Sequence, residues 1–251
     1  DAVARVLAAR GINASGASTF LRPTLRASMP DPSTLTDMDK AVARLVAAVQ
    51  SGEKITIFGD YDVDGATSSA LLKRFFRAVG VEAGVYIPDR RAEGYGPNAS
   101  ALRGLQAEGS KVIITVDCGI VAFEALKAAQ DVGLDVVVVD HHKAEPEMPA
   151  AAAVVNPNRL DDSSGQGHLA AVGVAFLLVV AINRALRDAG WYADKAIAEP
   201  DLRLWLDLVA LGTVCDVVPL KGLNRAFVTQ GLQILARGGN AGLTALSRVA
   251  R

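Results

Sequence analysis

The stretch "ITIFGDYDVDG", Ile55 to Gly65, sets Asp60, Asp62 and Asp64 on alternate residues and closes with a glycine. Carboxylates this close repel one another unless a positive charge sits among them, so a bound cation is the first chemistry to test. A D-x-D-x-D-G run opens a calcium EF-hand loop, whose twelfth position is a bidentate Glu and whose flanks are helices. Counted from Asp60, the twelfth position is Leu71, and Lys54–Phe58 ahead of the run is apolar and β-branched like a strand. The EF-hand fails on both counts.

The elements around the run say what else joins it. Strand candidates are Lys54–Phe58, Val81–Ile87, Lys111–Val116, Asp135–Val139 and Ala152–Val155, with helical patterns near 66–79, 97–108 and 121–132 between them. Apolar strands separated by helices predict an α/β fold, a mostly parallel sheet flanked by helices. In such sheets ligands bind beyond the carboxyl ends of the strands. There the sequence puts Asp60, Asp62 and Asp64 after the first strand, Asp117 after the third in "VIITVDCG", and Asp140-His141-His142 after the fourth in "VVVVDHHK".

On either side the pattern differs. Residues 1–10 form an Ala-rich helix candidate, and 11–36, with Gly, Ser, Pro23, Pro30 and Pro32, predict a loop-rich lead-in. Thr36 or Asp37 caps a helix through Val42, Leu45, Val46 and Val49 that Gly52 stops. After about 160 the chain turns helical: 169–189, 201–209, then "ALGTVCDVVPL", then 224–237 and 242–250. The expected organisation is a lead-in over 1–36, a catalytic core over 37–221 and a helical C-terminal part over 222–251.

Bulk properties exclude several classes. A formal net charge of −1 over 251 residues argues against a general polyanion-coating protein, so any nucleic-acid site is a local patch. Cys118 and Cys215 are the only cysteines, which is no disulfide scaffold or zinc finger and suits a reducing cytoplasm. The apolar run Leu169–Ile182 is too short to span a bilayer, and no signal peptide is visible.

Taken together, "GDYDVDG", "YIPDRRAEGYG", "TVDCG", "VVVVDHH", "VGVAFLL", "ALGTVCDVVPL" and "LNRAFVTQGL" resemble the DHH phosphoesterase superfamily, and within it the RecJ-like nucleases, along essentially the whole chain. A haloacid-dehalogenase-type resemblance in Asp62–Thr67 has no later lysine and paired aspartates to support it. The DHH resemblance implies a site for two ions, Mn(II) or Mg(II), with Asp62, Asp64, Asp117, His141 and Asp216 as ligands and Asp117 as the bridge. Some members of the superfamily carry a His where this chain has Phe58, and Asp60 is inferred to fill that ligation. His142 is the candidate to bond the phosphate or protonate the leaving group, and Asp140 to orient a histidine. By resemblance Arg90 lies near the cleft to grip a phosphate. Tyr95 is a candidate to stack on a base or simply to pack, and Arg159 of "NPNR" to touch the DNA backbone.

The expected activity is 5′→3′ hydrolysis of single-stranded DNA to mononucleotides in repair and recombination, with a helicase or single-strand-binding protein as partner by resemblance. Such members continue into further domains, so a catalytic core is expected here. A small-substrate phosphoesterase and a non-catalytic DNA-binding relative are the alternatives, and the full set of acids counts against the second. His168 reads as a helix-start residue, both cysteines as small buried thiols, and Lys73, Arg74 and Arg77 as a solvated face.

Overall fold

The computed structural model describes residues 1–250. Helix α1 (Ala2–Ala9) forms where the Ala-rich pattern placed it, but the stretch after it departs from the loop-rich expectation by being helical: α2 (Ala14–Leu21) and α3 (Leu25–Ser28) precede a 3-10 turn at Pro32–Thr34. The polar residues that signal loops act as caps here. Asn13 Oδ1 accepts from Gly16 N at 2.9 Å and Thr24 Oγ1 from Ala27 N at 3.3 Å, satisfying first-turn amides.

The alternating region follows as α4 (Met38–Ser51), β1 (Ile55–Gly59), α5 (Val63–Ala78), β2 (Gly84–Tyr86), α6 (Ala99–Ala107), β3 (Val112–Val116), α7 (Phe123–Asp131), β4 (Asp135–Val139) and β5 (Ala153–Val155). Gly52 closes α4 in the left-handed conformation, φ +68°, where no Cβ penalty applies. The strands form one parallel sheet in the order β2-β1-β3-β4-β5. The chain leaves β1 toward one edge and returns for β3 on the other side, so the topological switch point lies between β1 and β3.

Strand side chains alternate between two cores, which is why the inner strands β1, β3 and β4 are largely apolar on both faces, whereas the edge strand β2 leaves Val85 exposed. Ile55, Ile57, Val112, Ile114, Val137 and Val139 pack toward α4, α5 and α8 (Ala171–Asp188). Phe58, Ile113, Val136 and Val138 face Leu102 and Leu105 of α6 and Leu126 of α7. Each large side chain so buried contributes roughly 1.5–3 kcal/mol.

Beyond α8 come α9 (Trp191–Asp194), α10 (Leu206–Cys215), α11 (Gly222–Leu235) and α12 (Ala241–Val249). The segment "ALGTVC" continues α10 instead of breaking it. Cys118 is buried as expected, whereas Cys215, at the last turn of α10, is exposed. Helices α10 and α11 meet backbone to backbone: a Cβ on Gly231 would fall 2.1 Å from the Leu206 carbonyl oxygen. Among the described residues no helix is long and apolar enough to cross a membrane.

Candidate metal centre

Sheet register builds the site. Gly59, Val116, Val139 and Val155 lie side by side as the last paired residues of β1, β3, β4 and β5. The next residue on each strand is therefore Asp60, Asp117, Asp140 and Asn156, a polar row along one sheet edge at the switch point. All four are buried, at 5%, 2%, 0% and 0% exposure.

Asp62 caps α5, accepting from Gly65 N at 2.9 Å. The glycine that closes the motif has a steric reason: a Cβ on Gly65 would lie 2.6 Å from the Asp60 carbonyl oxygen. Asp64, in the first turn of α5, accepts from Ala171 N at 2.6 Å and Val172 N at 2.9 Å. It thereby caps α8, whose own N-cap residue Ala170 makes no side-chain bond. Asp216 enters from the end of α10, a position where the helix dipole disfavours an anion. It stands in the turn that closes the helix directly after Cys215.

His141 sits at the centre. Its Nδ1 lies 3.0 Å from the Leu169 carbonyl oxygen, which can only accept, so Nδ1 carries hydrogen and the neutral ring presents its Nε2 lone pair. That Nε2 is 3.3 Å from Asp117 Oδ1, 3.6 Å from Asp216 Oδ2 and 3.8 Å from Asp64 Oδ2. Potential ligand atoms of Asp60, Asp62 and Asp117 converge within 4.8 Å of one another, as do those of Asp64, His141 and Asp216. A further grouping joins Asp117, His141 and His142, but His142 Nδ1 is already engaged by Asp140 Oδ1 at 2.8 Å.

The donor set fits hard divalent cations. Asp60 Oδ1, Asp117 Oδ1, His141 Nε2 and Asp216 Oδ2 are buried with no hydrogen-bond partner, an arrangement that is costly unless something else satisfies them. Oxygen donors with one imidazole match Mn(II) or Mg(II) and not a thiolate-seeking metal. Protonation responds to the same crowding. Burial, with Asp64 and Asp62 as neighbours, pushes Asp117 up to about 8 despite His141. Burial raises Asp64 to about 6 against its backbone bonds, and raises Asp60 and Asp216, with Asp62 adding to both. His141 rises to about 9, because Asp117, Asp216 and Asp64 outweigh a burial that would lower it.

Asp140 is different. Burial pushes its pKa up, but bonds from His142 Nδ1, Ile120 N and the His142 amide outweigh it, and it stays below the ordinary carboxylate value. His142 is raised in turn, chiefly by Asp140, and its ring is half exposed. Sequence reasoning missed the residues under both histidines. Asn156 Nδ2 donates to His142 O at 2.9 Å and Asn158 Nδ2 to His141 O at 2.5 Å. Their signal was the "NPN" directly after β5.

A cleft of about 380 Å³ opens beside the acids, lined by Asp60, Tyr61, Arg90, Tyr95, Asp140 and His142 among others. The Arg90 guanidinium stacks 4.5 Å over the Tyr61 ring and lies 5.9 Å from that of Tyr95. Tyr61, which sequence reasoning passed over, is 49% exposed there. Arg159 is a correction. Its side chain is 7% exposed, bonding Asp37 and the Val154 carbonyl at 2.7 Å each and forking onto Asp161. With its donors so committed, it locks the fold and is not available to a DNA backbone.

Comparison with known proteins places this geometry. The family model "DHH family, N-terminal domain" matches residues 54–213. The single-stranded-DNA-specific exonuclease RecJ of Escherichia coli (strain K12) is 39% identical over 248 residues, 98% of this chain and 42% of that protein. RecJ of Bacillus subtilis (strain 168) is 38% identical over 98% of this chain and 30% of the relative. This chain thus spans less than half the length of either. Among solved structures, exonuclease RecJ bound to manganese superposes with a TM-score of 0.72 at 34% identity, covering 86% of this chain and 52% of that one. RecJ of Thermus thermophilus in complex with Mn2+ gives 0.76 at 31% identity, covering 98% and 33%.

Proposed function

The chain belongs to the DHH family, and from that premise we propose that it is a metal-dependent exonuclease that removes mononucleotides from the 5′ end of single-stranded DNA. The observation that carries this is the convergence of Asp60, Asp62, Asp64, Asp117, His141 and Asp216, with four of their buried polar atoms unpartnered. The RecJ relatives supply the substrate class. The catalytic unit we assign to residues 37–221.

Mn(II) or Mg(II), when bound as a pair, would supply Lewis-acid polarisation of the scissile phosphate and activation of the attacking water. The protein's part is geometric. Asp60 and Asp62 hold one side of the site, Asp64, His141 and Asp216 the other, and Asp117 stands between them. Leu169 fixes the His141 tautomer that leaves Nε2 free to bind a cation. His142, held by Asp140 with its other ring nitrogen toward the cleft, is placed to donate a proton to the leaving oxygen. Arg90 offers the fork that grips a phosphate at the cleft mouth. The cleft is of a size to take about one nucleotide at a time. An unwound strand must reach it, so a helicase or single-strand-binding protein in the cytoplasm is the partner class such chemistry calls for.

The test is digestion of 5′-labelled and 3′-labelled single strands with Mn(II), beside a duplex and Asp117→Ala. Mononucleotides released first from the 5′ label, and lost in the variant, are expected. Cleavage confined to dinucleotides would replace this reading with a small-substrate phosphoesterase.

A further inference from the structure

The role of Tyr95 is not that of an aromatic platform alone. Asp117 has φ +61°, the left-handed region that costs any residue with a Cβ. Its amide still donates to the Val139 carbonyl at 3.1 Å, so the sheet ladder continues up to its nitrogen and the chain turns away at its α-carbon. Two glycines let the turn fold back. Gly119 has φ +113°, and a Cβ there would lie 2.6 Å from Thr115 Oγ1. Gly96, φ +76°, brings the 95–96 segment against Cys118, whose Cβ would lie 3.6 Å from one on Gly96.

Once turned out of the ladder, the Asp117 carbonyl needs a donor. The Tyr95 hydroxyl supplies it at 2.9 Å. The segment carrying Tyr95 is held in its turn by Glu93, which accepts from Tyr86 Oη at 2.6 Å, Asp89 N at 2.9 Å and Asn98 Nδ2 at 3.2 Å. Tyr86 stacks on Phe58 of β1 with centroids 5.2 Å apart. A chain of contacts thus runs from the floor of the sheet to the carbonyl of Asp117, whose carboxylate groups with Asp60 and Asp62 and lies 3.3 Å from His141 Nε2. An aspartate side chain has only two torsions, so where its carboxylate lands is set mainly by the backbone that presents it.

We propose that Tyr95 is a positioning residue: its hydroxyl holds the Asp117 peptide in the left-handed conformation that aims the shared carboxylate between the two groups of ligands. This rests on the metal-dependent reading above and goes beyond it in dividing Tyr95 into a hydroxyl that matters to the metal site and a ring that matters less. Removal of the hydroxyl alone separates the two.

The experiment compares the wild-type chain with Tyr95→Phe and Tyr95→Leu. Mn(II) is titrated calorimetrically into each metal-free chain, each is melted without metal, and turnover and KM are measured on a single-stranded oligonucleotide. Tyr95→Phe is expected to bind Mn(II) about fivefold more weakly, the worth of one hydrogen bond. Its turnover falls, its KM for DNA stays put, and its metal-free Tm stays within about 3 °C. Tyr95→Leu adds a further loss of stability from the missing ring. Mn(II) affinity in Tyr95→Phe equal to wild type overturns the inference, and a raised KM confined to Tyr95→Leu would make the ring a base platform instead. A Tyr95→Phe loss matched by collapse of metal-free stability also overturns it, because the effect is then global. No Mn(II) uptake by the wild type refutes the metal-dependent reading itself, an outcome distinct from these.

Discussion

Two adjacent histidines divide their labour according to what each Nδ1 meets. His141 donates to a carbonyl and turns Nε2 into the acids, whereas His142 donates to a buried carboxylate and turns outward. His142→Ala is expected to lower turnover about 100-fold with Mn(II) affinity within about twofold, measured by steady-state kinetics and calorimetry side by side. A parallel loss of Mn(II) binding would instead make His142 a ligand. Asp140→Asn keeps the shape but weakens the carboxylate's hold, and about 10- to 100-fold lower activity is expected, with rescue absent at higher Mn(II). Much at this scale was legible, because three carboxylates on alternate residues have few structural uses. Arg159 was not legible, since nothing in "NPNR" says that Asp37, distant in sequence, will meet its guanidinium. Asn156 and Asn158 were overlooked because their value lies in which backbone carbonyls they reach.

Elements deliver those residues through close backbone approach, and glycines mark where. Gly65→Ala forces a Cβ to 2.6 Å from the Asp60 carbonyl oxygen, so the start of α5 must shift and carry Asp64 with it. A loss of about 2 kcal/mol in urea melts, with a larger loss of Mn(II) affinity, is expected. Gly231→Ala tests a contact far from the acids. Prying α11 from α10 is expected to cost about 2–3 kcal/mol while shifting Mn(II) affinity less than Gly65→Ala does. Strands were legible because runs such as "VIITV" and "DVVVV" have a composition no amphipathic helix shares. The lead-in misled because Asn, Ser and Thr mark turns and helix caps alike. Likewise "ALGTVC" carries glycine and β-branched residues of low helix propensity, yet burial of Ala210, Gly212 and Thr213 overrides that preference.

Over the whole molecule, one sheet edge gathers the chemistry, and an ion pair in the loop that follows β5 closes the fold there. Arg159 ties the loop after β5 to Asp37 at the head of α4. Arg159→Ala leaves Asp37 without its buried partner, and about 3 kcal/mol of destabilisation is expected. This difference should depend on pH. Burial pushes Asp37 up, but Lys40, Arg159 and the Val154 amide outweigh it and hold its pKa below the ordinary 3.8. A folded-state value below the unfolded one contributes stability that is complete above about pH 4 and disappears as pH falls through the lower folded value. Denaturant melts should therefore show the gap between wild type and Arg159→Ala steady from pH 7 to 5 and narrowing toward pH 3. The layered α/β class was legible from alternation. The strand order that puts the switch point between β1 and β3 was not, because which side of β1 the chain returns to depends on packing between distant helices.

The proposed mechanism requires Asp117 to serve both groups of ligands. Anomalous scattering from crystals of this chain grown with Mn(II) tests it directly. Two peaks are expected, one among Asp60, Asp62 and Asp117 and one among Asp64, Asp117, His141 and Asp216, with Asp117 touching both. A single peak held by Asp117, His141 and His142, or no peak at these carboxylates, would contradict it.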